Sequence, residues 1–209
     1  MEKEPRLQSE TARRILAAAR DVFAEHGFAG TTVDAIAKSA GVNKATLYYQ
    51  IGDKETLYAE VVRSVLESTV DDFQKGIRQA KTPEEQLRHY IRTMAATVEG
   101  NPWLPRIILR ELAGGGVSLP EVVLQSFGRL LVALTEILDA GAKEGIFVKT
   151  PPFLIHMMVM GALIFYKTSA PIRARAPQLL AEKILQGRQP SSLEVASEVE
   201  TLILKAVLK

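Results

Sequence analysis

At 209 residues and 23.0 kDa, with 47% hydrophobic and 24% charged residues, the chain can bury a real core and fits one domain or two small ones. Twenty-six Lys and Arg against 24 Asp and Glu leave a net charge of +2, too small an excess to point to nucleic acid or a membrane by bulk electrostatics. The absence of cysteine excludes disulfides, thiolate metal ligation and a cysteine nucleophile, and His26, His89 and His156 are too scattered to suggest a zinc centre, so no metal or cofactor is expected.

The first ten residues alternate in charge without an apolar stretch, unlike a signal peptide, so a cytoplasmic location is expected. Ile15, Leu16, Ala19, Val22 and Phe23 then mark a helix from Thr11 that ends at His26-Gly27. Thr31 is the expected N-cap of a short second helix with Val33, Ile36, Ala37 and Ala40 on its apolar face and Gly41 at its end. Asn43 caps a third helix over Lys44 to Gln50, and Asp53 caps a long one from Lys54 to about Ile77. Thr82-Pro83 starts a helix to about Asn101, Pro102 and Pro105 interrupt the chain, and Ile107 to Leu112 is a brief helical piece. After Gly114-Gly115-Gly116, a long helix is expected from Val122 to Glu144. Pro151-Pro152 opens an apolar helix to about Ala170. The uncharged run Thr150 to Tyr166 is 17 residues, short of the roughly 20 a membrane span needs. A connector covers 171–191, and a last helix from Ser192 carries Leu193, Ala196, Val199, Ile203 and Ala206 on one stripe. With no alternating strand and no repeat, the expected fold is all-α.

The segment from Thr31 to Val61 carries the functional signal. Two short helices joined at Ala40-Gly41-Val42-Asn43 have helix-turn-helix spacing, with Ile36, Ala37, Val42 and Leu47 available to pack the pair on the first helix. That packing would turn Lys44, Thr46, Tyr48 and Tyr49 outward toward a major groove. Thr31, Thr32 and Lys54 are placed for the DNA backbone, where hydroxyls, amides and a cation can hold a phosphate, and Asn43 completes the set.

These residues also carry a resemblance. Gly27, Thr31-Thr32, Ile36-Ala37, Ala40-Gly41-Val42, Thr46-Leu47-Tyr48-Tyr49 and Lys54 with Leu57 resemble the pattern of the TetR/AcrR family of bacterial transcriptional regulators over residues 11–60. Family members very often have His-Phe after the aromatic pair; this chain has Gln50-Ile51, which passes the Phe packing role to Ile51 and changes any phosphate contact of the His. The resemblance implies a homodimer that binds a near-palindromic operator on double-stranded DNA, represses transcription, and releases DNA when a small molecule binds the larger domain. The stretch Pro105 to Leu112 is similar to a subset of these regulators without naming a ligand.

The expected organisation is therefore a three-helix DNA-binding domain at 1–60 and a helical ligand-binding and dimerisation domain at 61–209. Candidates to surround an apolar or aromatic effector are Met94, Trp103, Leu104, Ile108, Phe127, Leu131, His156, Met160, Leu163 and Tyr166, each of which also suits a plain core position. His156 can orient a ligand or bond a neighbouring helix, and Arg106, Arg110 and Glu111 can form an internal ion pair or meet an anionic guest. Lys3, Arg6, Arg13 and Arg14, interleaved with Glu2, Glu4 and Glu10, read as a solvated arm more readily than as a minor-groove insertion. The apolar surface of the last two long helices, 152–170 and 192–208, suits a four-helix dimer interface. Competing readings are a small-molecule-binding helical enzyme and an architectural or protein-interaction module. His89 and His156 lie on separate helices without an evident nucleophile, so no catalytic residue is assigned.

Overall fold

The computed structural model describes residues 9–175 and 190–209. Lys3 and Arg6, the other charges of residues 1–8, and 176–189 of the expected connector lie outside the described residues. Among the described residues the fold is all-α: α1 Glu10–Gly30, α2 Val33–Ala40, α3 Lys44–Gln50, α4 Lys54–Ile77, α5 Pro83–Gly100, α6 Leu104–Ala113, α7 Glu121–Lys143, α8 Pro152–Thr168, α9 Ala170–Arg175 and α10 Ser192–Val207. None of these helices is long and apolar enough to cross a membrane.

Local chemistry accounts for most of these ends. Asn43 accepts from the Thr46 N–H at 2.7 Å, Asp53 from the Thr56 N–H at 2.8 Å, and Thr82 from the Glu85 N–H at 3.2 Å. Ser191 and Glu194 form a reciprocal capping box at the start of α10. Gly41 ends α2 at φ 65°, ψ 37°, a left-handed conformation that glycine adopts without a Cβ penalty.

Four expectations are corrected. Gly27 breaks the regular part of α1 at φ 70°, ψ 176°, but a further turn carries the helix to Gly30. The N-cap of α2 is Thr32, whose side chain accepts from the Ala35 N–H, while Thr31 turns inward. Helix α6 starts at Leu104 rather than Ile107, because Pro105 falls in the first turn, where a missing N–H leaves no helical bond unmade. The connector begins with the helical turn and a half of α9.

The chain divides into two compact units, residues 1–67 with 106–127, and 68–105 with 128–209. In the first, α1, α2 and α3 pack on one another. Ile15, Ala19, Phe23, Ile36 and Leu47 are fully buried there, and Tyr58 meets Phe23 edge-on at 4.9 Å and Phe28 at 5.1 Å. In the second, α10 packs on α5 and α8, and α5 packs on α8. The inward stripe of α10 is Val199, Glu200, Ile203, Leu204 and Val207, not the expected Leu193, Ala196, Val199, Ile203 and Ala206. The observed stripe carries an ion-paired acid: Glu200 accepts from Arg88 at 2.8 Å and from Arg92 at 2.7 and 2.9 Å. Burial raises the Glu200 carboxyl, but the bonds from Arg92 and Arg88 outweigh it and hold it below the usual range.

The chain end is stitched to the turn after α7 by an isolated antiparallel bridge between Phe147 and Leu208, with the Val148 N–H donating to Val207 at 2.7 Å. Phe147 is buried because Gly141 leaves room for its ring; a methyl at Gly141 would lie 2.0 Å from ring carbon Cδ2. Gly141→Ala should therefore destabilise the protein by about 1–3 kcal/mol, the usual cost of overpacking. Urea denaturation checks this, and parental stability would mean that the ring has space to move aside.

Tyr90 and His156 are both buried and share a 2.6 Å hydrogen bond between the hydroxyl and Nδ1. Burial lowers the His156 pKa from 6.5 to about 4. As pH falls, the unfolded chain is protonated here first, so stability present above pH 6.5 is lost toward pH 4. At about 1.36 kcal/mol per pKa unit the full effect is roughly 3 kcal/mol, with roughly 2 gone by pH 5. His156→Gln, which cannot titrate, should lose less stability than the parent between pH 7 and pH 5 in urea titrations; equal losses would assign the acid sensitivity to other groups.

Candidate nucleic-acid interface

Helix α3 is seven residues long and buries Leu47, which anchors it on the other two helices of the motif. The neighbouring side chains point away: Tyr48 is 47% and Tyr49 64% exposed, Asn43 and Lys44 are exposed, and Thr46 is half-buried. Two hydroxylated rings on a surface helix, next to a hydroxyl and an ammonium, offer donors, acceptors and apolar edges together. Ser9, the N-cap of α1, donates from its hydroxyl to Gln50 Oε1 at 3.0 Å, which ties the end of α3 to the start of α1.

Thr32 is exposed at the tip of α2 with its oxygen accepting from Ala35. Thr31 is different. It is buried at 2% exposure and donates its hydroxyl to the Gly27 carbonyl at 2.7 Å, so the expected phosphate contact by its side chain is replaced by an internal one that closes the break in α1.

Lys54 departs from expectation in the same direction. Its ammonium donates to the carbonyls of Phe28 and Thr31, each at 3.2 Å, and sits 4.3 Å from the centre of the Phe28 ring. A half-buried cation so engaged fixes the segment entering α2 instead of pointing at a phosphate. Arg14, read as part of a solvated arm, donates to the Ala40 carbonyl at 2.6 Å and so secures the end of α2. A faint signal existed, because Arg14 lies one turn before buried Ala18 and thus borders the packed face. Lys44 pairs with Asp34 at 3.0 Å, and that bond and charge raise its pKa.

Arg110 and Glu111 of α6 take different partners rather than each other. Arg110 donates to the carbonyls of Ala24 and Glu25, shortly before the break in α1. Glu111 is buried and accepts from the Tyr58 hydroxyl at 2.6 Å. Burial, then the Glu111 bond and charge, push the Tyr58 phenol above its usual range. Arg106 is exposed.

The ten residues expected around an effector are distributed over both units. Ile108 and Phe127 belong to the first unit and the other eight to the second. Met94, Leu104 and Leu163 are core, His156 is bonded to Tyr90, and Trp103, Leu131, Met160 and Tyr166 are half-buried. The Tyr166 hydroxyl donates to the Pro190 carbonyl, and the Arg173 guanidinium lies 3.7 Å from its ring centre. A small crevice in the second unit takes Leu163 and Tyr166 from the expected set and adds Val98, Val195 and the Glu99–Lys167 ion pair, 2.7 Å long.

Residues 15–61, which include this whole motif, match the family model described as bacterial regulatory proteins, tetR family. The chain is 28% identical over 169 residues to the HTH-type transcriptional regulator RutR of Escherichia coli strain K12, covering 81% of this chain and 79% of RutR. It superposes on a linker-substituted HlyIIR mutant with a TM-score of 0.69 at 25% identity, covering 96% of this chain and 98% of that one. It also superposes on FadR of Bacillus subtilis in complex with stearoyl-CoA, with a TM-score of 0.70 at 21% identity over 93% and 98% of the two chains. With a matching motif at residues 15–61 and relatives similar over most of its length, the chain carries the DNA-binding domain of the tetR family of bacterial regulatory proteins and is similar to DNA-binding transcriptional regulators of that family.

Proposed function

We propose that the protein is a repressor that reads its operator with Thr46, Tyr48 and Tyr49 of α3 and positions itself on phosphate through Thr32, Asn43 and Lys44. The observation that carries this reading is the split of α3, with Leu47 fully buried and both tyrosines exposed beside it. In it, residues 1–60 act as the DNA-binding domain and 61–209 as the effector-binding and dimerisation domain. Thr31 and Lys54 act from within by fixing the path into α2, and the protein works in the cytoplasm, where bacterial DNA is.

The dimer would form through α8 and α10. Phe153, Leu154, Met157, Met158 and Phe165 of α8 are exposed, as are Leu193 and Leu202 of α10, an apolar surface that a second copy would cover. A two-fold pair would present two α3 helices to successive major grooves about 34–36 Å apart, and a near-palindromic operator would match it. The effector is a small, largely apolar or aromatic molecule, a reading supported by the Met, Leu and aromatic content of the candidate set. Arg110, Glu111 and Tyr58 give α6 a grip on α1 and α4, so an effector that shifts α6 would disturb the path into α2.

Thr46→Ala and Tyr48→Ala should each weaken operator binding about tenfold and relax sequence preference, with little change in unfolding temperature. Lys54→Ala should lower the unfolding temperature and weaken all DNA binding alike. Selection of duplexes from a random pool, followed by affinity measurements, checks both; selective binding that survives simultaneous replacement of Thr46, Tyr48 and Tyr49 by alanine would overturn the assignment of α3. Phe165→Asp combined with Leu202→Arg should convert a dimer to a monomer in sedimentation while retaining helical content, and a persistent dimer would place the interface elsewhere.

A further inference from the structure

Three cations of the helix-turn-helix unit are committed to partners within the protein. Arg14 and Lys54 are held by backbone carbonyls, and Arg20 pairs with Asp21 at 3.0 Å. Residues 1–63 contain nine Lys and Arg against nine Asp and Glu, so no general excess of positive charge makes up for this. Lys44, the first residue of α3, is a cation on the same helix as the exposed tyrosines, and its charge is the one that a partner on α2 can modulate. Its ammonium is 3.0 Å from Asp34 Oδ2, and both side chains are exposed, Lys44 at 49% and Asp34 at 72%. Asp34 comes from a different helix, in the first turn of α2 just after the Thr32 cap. A carboxylate there is favoured by the helix dipole, and it occupies the electrostatic position that a DNA phosphate would otherwise take.

We propose that Asp34 is an affinity-limiting residue of the DNA interface: by holding Lys44 it weakens binding to every duplex alike, and leaves sequence preference to Thr46, Tyr48 and Tyr49. A phosphate that approaches Lys44 must displace a bonded carboxylate or share the ammonium with it, so the net gain from that contact is reduced. The reduction does not depend on sequence because phosphates carry none. For a regulator that must leave DNA on a signal, the consequence is operator affinity kept low enough for release, together with weaker capture by non-operator DNA. This inference rests on the reading that α3 and the tip of α2 face DNA.

The test uses the full-length protein, a duplex selected by the parent from a random pool, and a scrambled duplex of the same composition, titrated over a range of KCl concentrations. Asp34→Asn should tighten binding to both duplexes by the same factor, about three- to fivefold, as expected for removal of one exposed ionic competitor. It should also steepen the dependence of log affinity on log salt by up to about 0.9, one more phosphate neutralised. The gain should vanish in the Lys44→Ala background, because the effect passes through Lys44. Tightening of equal size without Lys44 would overturn the proposal in favour of direct repulsion of DNA by Asp34. Loss of affinity for the selected duplex alone would overturn it in favour of base recognition, and unchanged affinity and salt dependence would overturn it outright. A parent that selects no duplex would overturn the DNA-facing reading as well, whereas a selective parent with an inert Asp34→Asn variant leaves that reading standing. Asp34 is exposed and Asn is nearly isosteric, so equal unfolding temperatures should accompany the affinity change; a changed temperature with unchanged salt dependence would assign Asp34 a structural role and overturn the proposal.

Discussion

The arrangement of the DNA-binding unit depends on satisfying the carbonyls exposed where α1 is broken. Gly27 leaves helical geometry at φ 70°, and side chains bond to carbonyls on both sides of it. Arg110 takes those of Ala24 and Glu25, the Thr31 hydroxyl takes that of Gly27, and Lys54 takes those of Phe28 and Thr31. Three side chains from three parts of the sequence thus hold one short bend. The direction of α2, and with it the position of α3, follows from that bend.

This also explains why the electrostatics of the unit cannot be read by counting charges. Two of the cations that a sequence reader assigns to solvent or phosphate, Arg14 and Lys54, serve the backbone instead. A guanidinium or ammonium suits that task because several donors converge on carbonyls that would otherwise be left partly unsatisfied. The surface proposed to meet DNA is rich in hydroxyl and aromatic groups and modest in charge. Such a surface favours contacts to base edges over counterion release, and makes each exposed cation, Lys44 above all, matter more than in a strongly basic domain.

What was legible in the sequence was what is local. Asn43 and Gln50 bound α3, Lys54 and Ile77 bound α4, and Pro83 opens α5 as expected, since caps and prolines act through neighbours within four residues. The outward placement of Tyr48 and Tyr49 was legible for a related reason: Leu47 has to face inward, and a seven-residue helix has one buried side. Thr31 was misplaced because two adjacent threonines are equivalent to a capping rule, and the choice between them is made by the distant requirement to bond Gly27. The partners of Lys54, Arg110 and Glu111 were hidden because each is 23 or more residues away in sequence, where no periodicity reports proximity. The effector candidates were the least legible, since Met, Leu and His look the same in sequence whether they line a cavity or fill one.

Glu200 shows how a polar residue can set the geometry of an apolar surface. Apolar spacing alone allows α10 to turn Leu193, Ala196 and Ala206 inward, and hydrophobic burial distinguishes weakly between that register and the observed one. The carboxylate removes the ambiguity, because once buried it is tolerable only where Arg88 and Arg92 both reach it. Rotating α10 by one residue would carry Glu200 away from the two guanidinium groups, and Arg88 would keep Glu84 while the buried carboxylate lost both of its cations. The register so chosen puts Val199, Ile203 and Val207 in the core and leaves Leu193 and Leu202 outside, on the surface assigned to the dimer. An ion pair of modest net stability thus decides which leucines are available to a second copy of the chain, and removing either arginine would loosen that choice before it unfolded the helix.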